Sequence, residues 1–299
     1  MSGRGSPLLA VAAVAALGGA VALQAARDAA YPRDEAAQVR TEQLYVRSPE
    51  AIKRLAPGFN ALAADVYWIR AIQHFGGARL AEPGAQDYSL LFPLLDIATT
   101  LDPYFNIAYR FGAIFLSEPH PGGPGRPDLA VRLLQKGIAA QPTRWQYYHD
   151  LAFVHYWHTR DYEAAAEWFR RASEQPDAPA WLAPMVPVML TRAEDRTSAR
   201  TLWHQIMQSD QQWLQRTAER SLMQLDALDA IDVLQPIVDR VALSAGEQYS
   251  WGLLARRGAV RGTPLDPAGV PFELYPESGI VSVSRSSPLF PLPVETPAR

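Results

Sequence analysis

One spacing constrains this chain more than any other feature. A small or slender residue is followed four positions later by a large apolar one at Leu91 and Leu95, Ala130 and Leu134, Ala165 and Phe169, and Ala199 and Trp203, at intervals of 39, 35 and 34 residues. A third apolar or small residue closes each unit, at Ala98, Gly137, Ala172 and Ile206. Four and seven residues on lies the same side of a helix, so each unit reads as a helix with one narrow, close-packing face. Self-similarity at such a period is the mark of stacked helix pairs. The long first interval has a visible cause, a Pro/Gly-rich insertion at residues 118–127. A similar break is expected at residues 76–86, between helices around 61–75 and 89–100.

The units resemble the tetratricopeptide repeat, whose second helix carries a small residue, an aromatic four on and a small residue three after that; Ala165, Phe169 and Ala172 match in register. Leu151, Ala152 and Tyr156 stand in the first helix of that unit, and Phe111, Gly112 and Phe115 in the first helix of the one before. The resemblance covers residues 55–210. It implies an all-α, right-handed solenoid of about four helix pairs. It also implies a concave groove, lined by the first helices, that binds peptide segments or a partner helix of other proteins. Carried onto this chain, the groove would present Asn106, Tyr109 and Arg110 from one helix and Gln146, His149, Phe153 and Tyr156 from the next.

Residues 8–26 form a 19-residue run without charge, containing Gly18, Gly19 and Gln24. It is just long enough to span a bilayer, and residues 1–27 are read as an N-terminal membrane anchor. A cleaved signal with Ala20-Val21-Ala22 at its end, or a buried helix, remains open on composition alone. Arg4 precedes the run and Arg27, Arg33 and Arg40 follow it. A run beginning this early normally directs export, so the repeats are expected on the periplasmic or extracellular side. Residues 28–49 read as a polar spacer, 50–210 as the repeats, 211–245 as a capping helix pair, and 246–286 as a separate small module.

That module is expected to hold a short helix and a hairpin of residues 272–275 and 280–284 around a four-residue turn. Before it, Asp266, Pro267, Gly269, Pro271 and Phe272 have the makings of a tight turn, with Asp266 accepting from the backbone and Gly269 at positive φ. The order Asp-Pro-x-Gly-x-Pro-aromatic resembles the C-terminal region of major pseudopilins of type II secretion. Ala268 stands where that family usually has Trp, and no pilin methylation motif precedes the apolar run. The resemblance implies, as an alternative role, an accessory factor of a type IV pilus or type II secretion system. Residues 287–299 are expected to form an extended, disordered Pro-rich tail.

Chemistry is harder to place. The chain has no cysteine, which removes thiol catalysis, disulfides and Cys-type zinc sites. With 28 basic against 31 acidic residues and no basic stripe, nucleic acid is not an expected partner. No phosphate loop, nucleophile elbow or dinucleotide fingerprint occurs, and no enzyme activity or cofactor is expected. His155 and His158 stand three apart, with His149 earlier on the same helix. They keep open a second alternative, a His-based metal-binding protein, although no carboxylate stands a turn away to complete a ligand set.

Overall fold

The computed structural model describes residues 15–23, 26, 51, 54 and 58–294. The chain divides into two compact units, Met1–Arg54 and Leu55–Arg299. In the first, residues 15–23 are helical and exposed. Among the described residues no helix is long and apolar enough to cross a membrane. Residues 8–14, 24 and 25 of the expected apolar span, and the whole of the spacer at 28–49, fall outside them.

The second unit is mostly helical. Its helices are α1 (Asn60–Leu80), α2 (Leu91–Leu101), α3 (Asn106–Ser117), α4 (Pro127–Ala140), α5 (Trp145–Val154), α6 (Tyr162–Ser173), α7 (Met185–Arg192), α8 (Arg196–Ile206), α9 (Gln212–Asp239) and α10 (Trp251–Arg256). A π-helical turn, His155–Thr159, extends α5, and a 3-10 turn, Ala180–Leu182, leads into α7. Strands β1 (Glu273–Leu274) and β2 (Val281–Ser282) pair antiparallel, Glu273 opposite Ser282. Each helix from α1 to α8 packs on the next, and α3 also touches α5 while α2 touches α4.

The recurrent positions are where the helices cross. Leu91, Ala130, Ala165 and Ala199 are fully buried, as are Leu95, Leu134 and Phe169, with Trp203 close behind. Gly112 has no room for a Cβ, which would stand 2.9 Å from Leu133 and Leu95 side-chain atoms. At Gly137 a Cβ would meet the Tyr109 ring at 3.0 Å and the Tyr147 ring at 3.1 Å. Small residues thus let α3 approach α2 and α4, and the large residue one turn on fills the space beside the crossing.

Turn chemistry repeats with the same period. Arg160 and Glu194 end first helices in the left-handed region, at φ 57 and 64. Each is followed by an aspartate that caps the next helix, Asp161 accepting from Ala164 N–H and Asp195 from Ser198 N–H, both at 3.0 Å. Across the insertion between α3 and α4 another device serves, with Gly125 at φ 62 and Pro127 at the first position of α4.

Four expectations are corrected. The break placed at residues 76–86 starts later, because α1 continues through Gly76 and Gly77 to Leu80. Neither glycine takes positive φ, and burial of Phe75 and Ala78 carries the helix through them; Gly84, at φ 91, supplies the turn. The capping pair at 211–245 is one 28-residue helix, α9, with Pro236 inside its last turn. A proline there removes one hydrogen bond, and Val238 is buried beyond it.

The module at 246–286 has the expected helix and hairpin, but it is not separate. Trp251, Leu254, Phe272, Leu274 and Val281 share one core with Ala227, Ile231 and Val238 of α9. The start of the Pro-rich tail is ordered too, since Leu289 is fully buried in that core. Gln224 donates to the Leu289 and Pro291 carbonyls at 2.8 Å each, and Arg220 to those of Pro288 and Phe290 at 2.9 and 3.0 Å. Residues 295–299 lie outside the described residues.

The crossings can be tested against a glycine that has space. Gly112→Ala is expected to destabilise the protein by about 1–3 kcal/mol, as overpacking does. Gly77→Ala, at an exposed helical site with nothing within 4 Å of the added Cβ, is expected to stabilise it by up to about 1 kcal/mol. Chemical denaturation of the two variants measures both.

Candidate binding face on the first helices

The odd-numbered helices α1, α3 and α5 lie side by side. Trp68 and Phe75 of α1 stack on Phe115 of α3, with ring centroids 6.0 and 4.4 Å apart. Tyr109 of α3 meets Tyr147 of α5 at 5.3 Å. These contacts use one side of each helix and leave another open. On α3 the open side carries Ile107, Phe111 and Ile114, each at least half exposed, with exposed Tyr104 just before the helix. Their spacing is that of one helical stripe, opposite buried Ala108, Gly112 and Leu116. On α5 it carries Phe153, continued by Trp157 in the π-helical turn, the two rings stacked 6.2 Å apart and 6° from parallel. Trp181 is exposed nearby, edge-on to Trp145 and His149 at 6.0 and 5.5 Å.

An ion pair ties α3 to α5 beside this face. Arg110 donates from Nε to Asp150 Oδ2 at 2.5 Å and from Nη2 to Oδ1 at 3.1 Å, a two-pronged geometry. His149 Nδ1 lies 2.9 Å from Asp150 Oδ1. Burial of Asp150 raises its pKa, but the hydrogen bonds and charges of His149 and Arg110 outweigh burial and hold the carboxyl below its ordinary value. The pair ties α3 to α5 at the margin of the apolar stripes.

The residues expected in a groove therefore divide. Phe153 is exposed on the face, and Arg110, Gln146, His149 and Tyr156 are half-buried at its margin. Tyr109 does not line it: its ring is fully buried, its hydroxyl donates to the Thr99 carbonyl at 3.2 Å, and burial pushes its pKa up to about 12. Asn106 is turned inward as well, its Oδ1 accepting from Tyr147 Oη at 2.5 Å and Gln141 Nε2 at 2.9 Å. Ile107, Phe111, Ile114, Trp157 and Trp181 were not expected there, and Phe111 was read as part of the helix-packing pattern. Their signal was present in α3 as an apolar spacing of three and four on the side away from Ala108 and Gly112.

The histidines do not form a cluster. Among the described residues no group of three or more His, Asp or Glu stands close enough together to hold a metal ion. His155 Nδ1 is buried without a hydrogen-bond partner among the described residues, and burial lowers the pKa of His155 and of His158.

The C-terminal turn is built as expected. Asp266 Oδ1 accepts from the Ala268 and Val270 N–H groups at 2.9 Å each, and Gly269 takes φ 82. Asp266 Oδ2 accepts from Ser287 Oγ at 2.5 Å, Phe272 is buried, and the Phe272 carbonyl accepts from Trp251 Nε1 at 2.7 Å. Asp266 and Phe272 serve the chain's own folding, while Pro267 and Pro271 hold the loop and stay partly or fully open to solvent.

No family model matches the chain, and no curated protein matches it in sequence.

The ion pair makes stability depend on pH with a definite sign. A carboxyl whose pKa is lower in the folded than in the unfolded chain stabilises at pH above the unfolded value, here the ordinary 3.8. That stabilisation is lost as pH falls through the lower folded value. Asp150→Asn is expected to cost about 1 kcal/mol at neutral pH, the modest size reflecting an Arg110 side chain that is 41% exposed. The gap between the two proteins is expected to close below about pH 4, read from denaturant unfolding across pH.

Proposed function

We propose that this chain is a membrane-tethered scaffold of tetratricopeptide type that binds other proteins along its first helices and supports the assembly or stability of a cell-envelope complex. Its helix pairs would stack as a right-handed solenoid, with the apolar run at residues 8–26 as the tether and the repeats on the periplasmic or extracellular side.

One observation carries the binding role. Exposed large apolar side chains sit on α1, α3 and α5, while α2, α4, α6 and α8 carry none. The outer surface of α6 is charged instead, with Arg170 reaching both Glu167 and Glu174. Within the first three helix pairs the exposed apolar side chains follow the layer of α1, α3 and α5, while α7 carries none and α9, beyond the repeats, carries Trp213 and Val233; contiguous exposed apolar surface marks an interaction site. The face combines aromatic rings with a guanidinium, the chemistry enriched where interfaces concentrate their affinity. Its occupant would be an apolar or amphipathic segment, with Phe111, Ile114 and the Phe153–Trp157 stack as anchors.

The tether draws support from the length and apolar character of residues 8–26, and the repeat assignment from the period shared by buried crossings and left-handed turns. The accessory role in a pilus or secretion machine draws on residues 266–272, whose aspartate and aromatic are committed within the chain.

A photo-crosslinking amino acid placed at position 111 or 157 of the full chain, in native membranes, is expected to yield discrete protein adducts. The same probe at exposed position 163 on α6 is expected to yield none. Against a partner so identified, the double change Phe111→Ala and Trp157→Ala is expected to weaken binding roughly tenfold to a hundredfold at unchanged melting temperature. Adducts of equal yield from all three positions, or undiminished binding by the double variant, would sink the groove.

A further inference from the structure

Helix α1 has two apolar sides. Ala64, Tyr67, Ala71, Phe75 and Ala78 are buried against the rest of the fold. At ~100° per residue, Leu62, Val66, Ile69 and Leu80 fall together on the opposite side, with Phe59 leading in, and all five are exposed. Glycines 76 and 77 have nothing within 4 Å of a Cβ, so the surface between Ile69 and Leu80 is low and open. The exposed side runs the length of a 21-residue helix, about 30 Å.

Its composition separates it from the face on α3 and α5. There the exposed groups include Phe111, Phe153 and Trp157 beside an arginine, the mixture of a protein interface. Here the apolar ones are Leu, Val, Ile and Leu, with one Phe at the entrance, and exposed Gln73 stands among them between Ile69 and Leu80. Trp68 and Tyr67 of the same helix turn away from this side, Trp68 toward Phe105 and Phe115 and Tyr67 into the core. The flanks are basic. Arg70 and Arg79 leave the helix on its two sides, their guanidinium groups over the Tyr67 and Phe75 rings, and Lys53 and Arg54 precede it in sequence. Asp65 is the only acidic residue of α1. In a chain of net charge −3 this segment has the opposite sign.

An aliphatic face between cationic flanks is the pattern of a helix lying in the bilayer interface, apolar side chains in the acyl boundary and arginines at the phosphates. Residues 27–59 separate it in sequence from the apolar run at 8–26. We infer that the outer side of α1 docks on an anionic lipid surface, a placement that rests on the membrane tether proposed above. The repeats would then stand with their first helix on the membrane and the aromatic face of α3 and α5 above it.

The absence of cysteine allows a direct test on the full chain, since single cysteines introduced by Leu17→Cys, Ile69→Cys and Glu163→Cys each take one fluorophore. The labelled proteins are reconstituted in vesicles of phosphatidylcholine with phosphatidylglycerol, some of the lipid carrying a nitroxide quencher at a shallow acyl position. Position 69 is expected to lose most of its fluorescence and position 163 none. The loss at 69 is expected to shrink when the anionic lipid is replaced by neutral lipid or the salt is raised. An unquenched label at 69 would overturn the docking whatever position 17 reports. So would a label at 69 shielded only as protein density in the vesicle rises, which would assign this side to a second copy. Position 17, at the middle of the span, is scored with a nitroxide near the acyl terminus, and quenching at 69 by the shallow probe without quenching at 17 by the deep one would uphold the docking and remove the tether.

Discussion

Close approach of neighbouring helices is the constraint on which the rest of this structure depends. It is available only where a side chain is missing or minimal: Gly112 against Leu95 and Leu133, Gly137 between two tyrosine rings, and Ala130, Ala165 and Ala199 at zero exposure. Backbones drawn this near leave no solvent between pairs, so the large residue one turn on, Leu95, Leu134, Phe169 or Trp203, is buried by necessity. Specific polar contacts then fix the register. Lys136 of α4 reaches the Asp96 carboxylate and carbonyl on α2 and the hydroxyls of Thr99 and Thr100 beside them, and Arg110 clamps Asp150. On α8, Arg196 and Arg200 bridge to Asp226, Asp229 and Asp232 of α9.

This arrangement divides the surface. Second helices pack with their small-residue side inward and turn charged sides to water. First helices are packed on one side by their own pair and laterally by one another, which leaves a third side that no element among the described residues covers. Apolar residues persist there on α1, α3 and α5, and their chemistry differs, aliphatic with basic flanks on α1 and aromatic with an ion pair on α3 and α5.

The period and the helix count were legible because burial at a crossing restricts residue size, and size is written in the sequence. Asp266 and Gly269 were legible because a tight turn needs a local acceptor and a positive φ, both short-range demands. Long-range facts were not. Nothing local distinguishes a capping pair from the single helix α9, since Pro236 stands late enough to be absorbed in its last turn. Nothing near Leu289 announces that Gln224 will hold its carbonyl. Tyr109 was misplaced for a related reason. On a helix flanked by four neighbours an aromatic belongs to the face or to the core according to a rotation of one residue, and tertiary packing at Gly137 settles that rotation. Arg160 and Glu194, whose left-handed backbone would mark a helix end had they been glycine, carried no compositional warning.

The strap formed by residues 287–292 bears on how the fold is reached. Helix pairs close through contacts between neighbours in sequence, which places little loop entropy in the way and lets them form early. The strap answers to a different scale, because Gln224 and Leu289 are 65 positions apart. The second half of α9 and the hairpin have no complete core until that distance is closed. Refolding is therefore expected to resolve into two kinetic events, rapid growth of the helix pairs and a slower locking of the C-terminal core, with Leu289 reporting only the second.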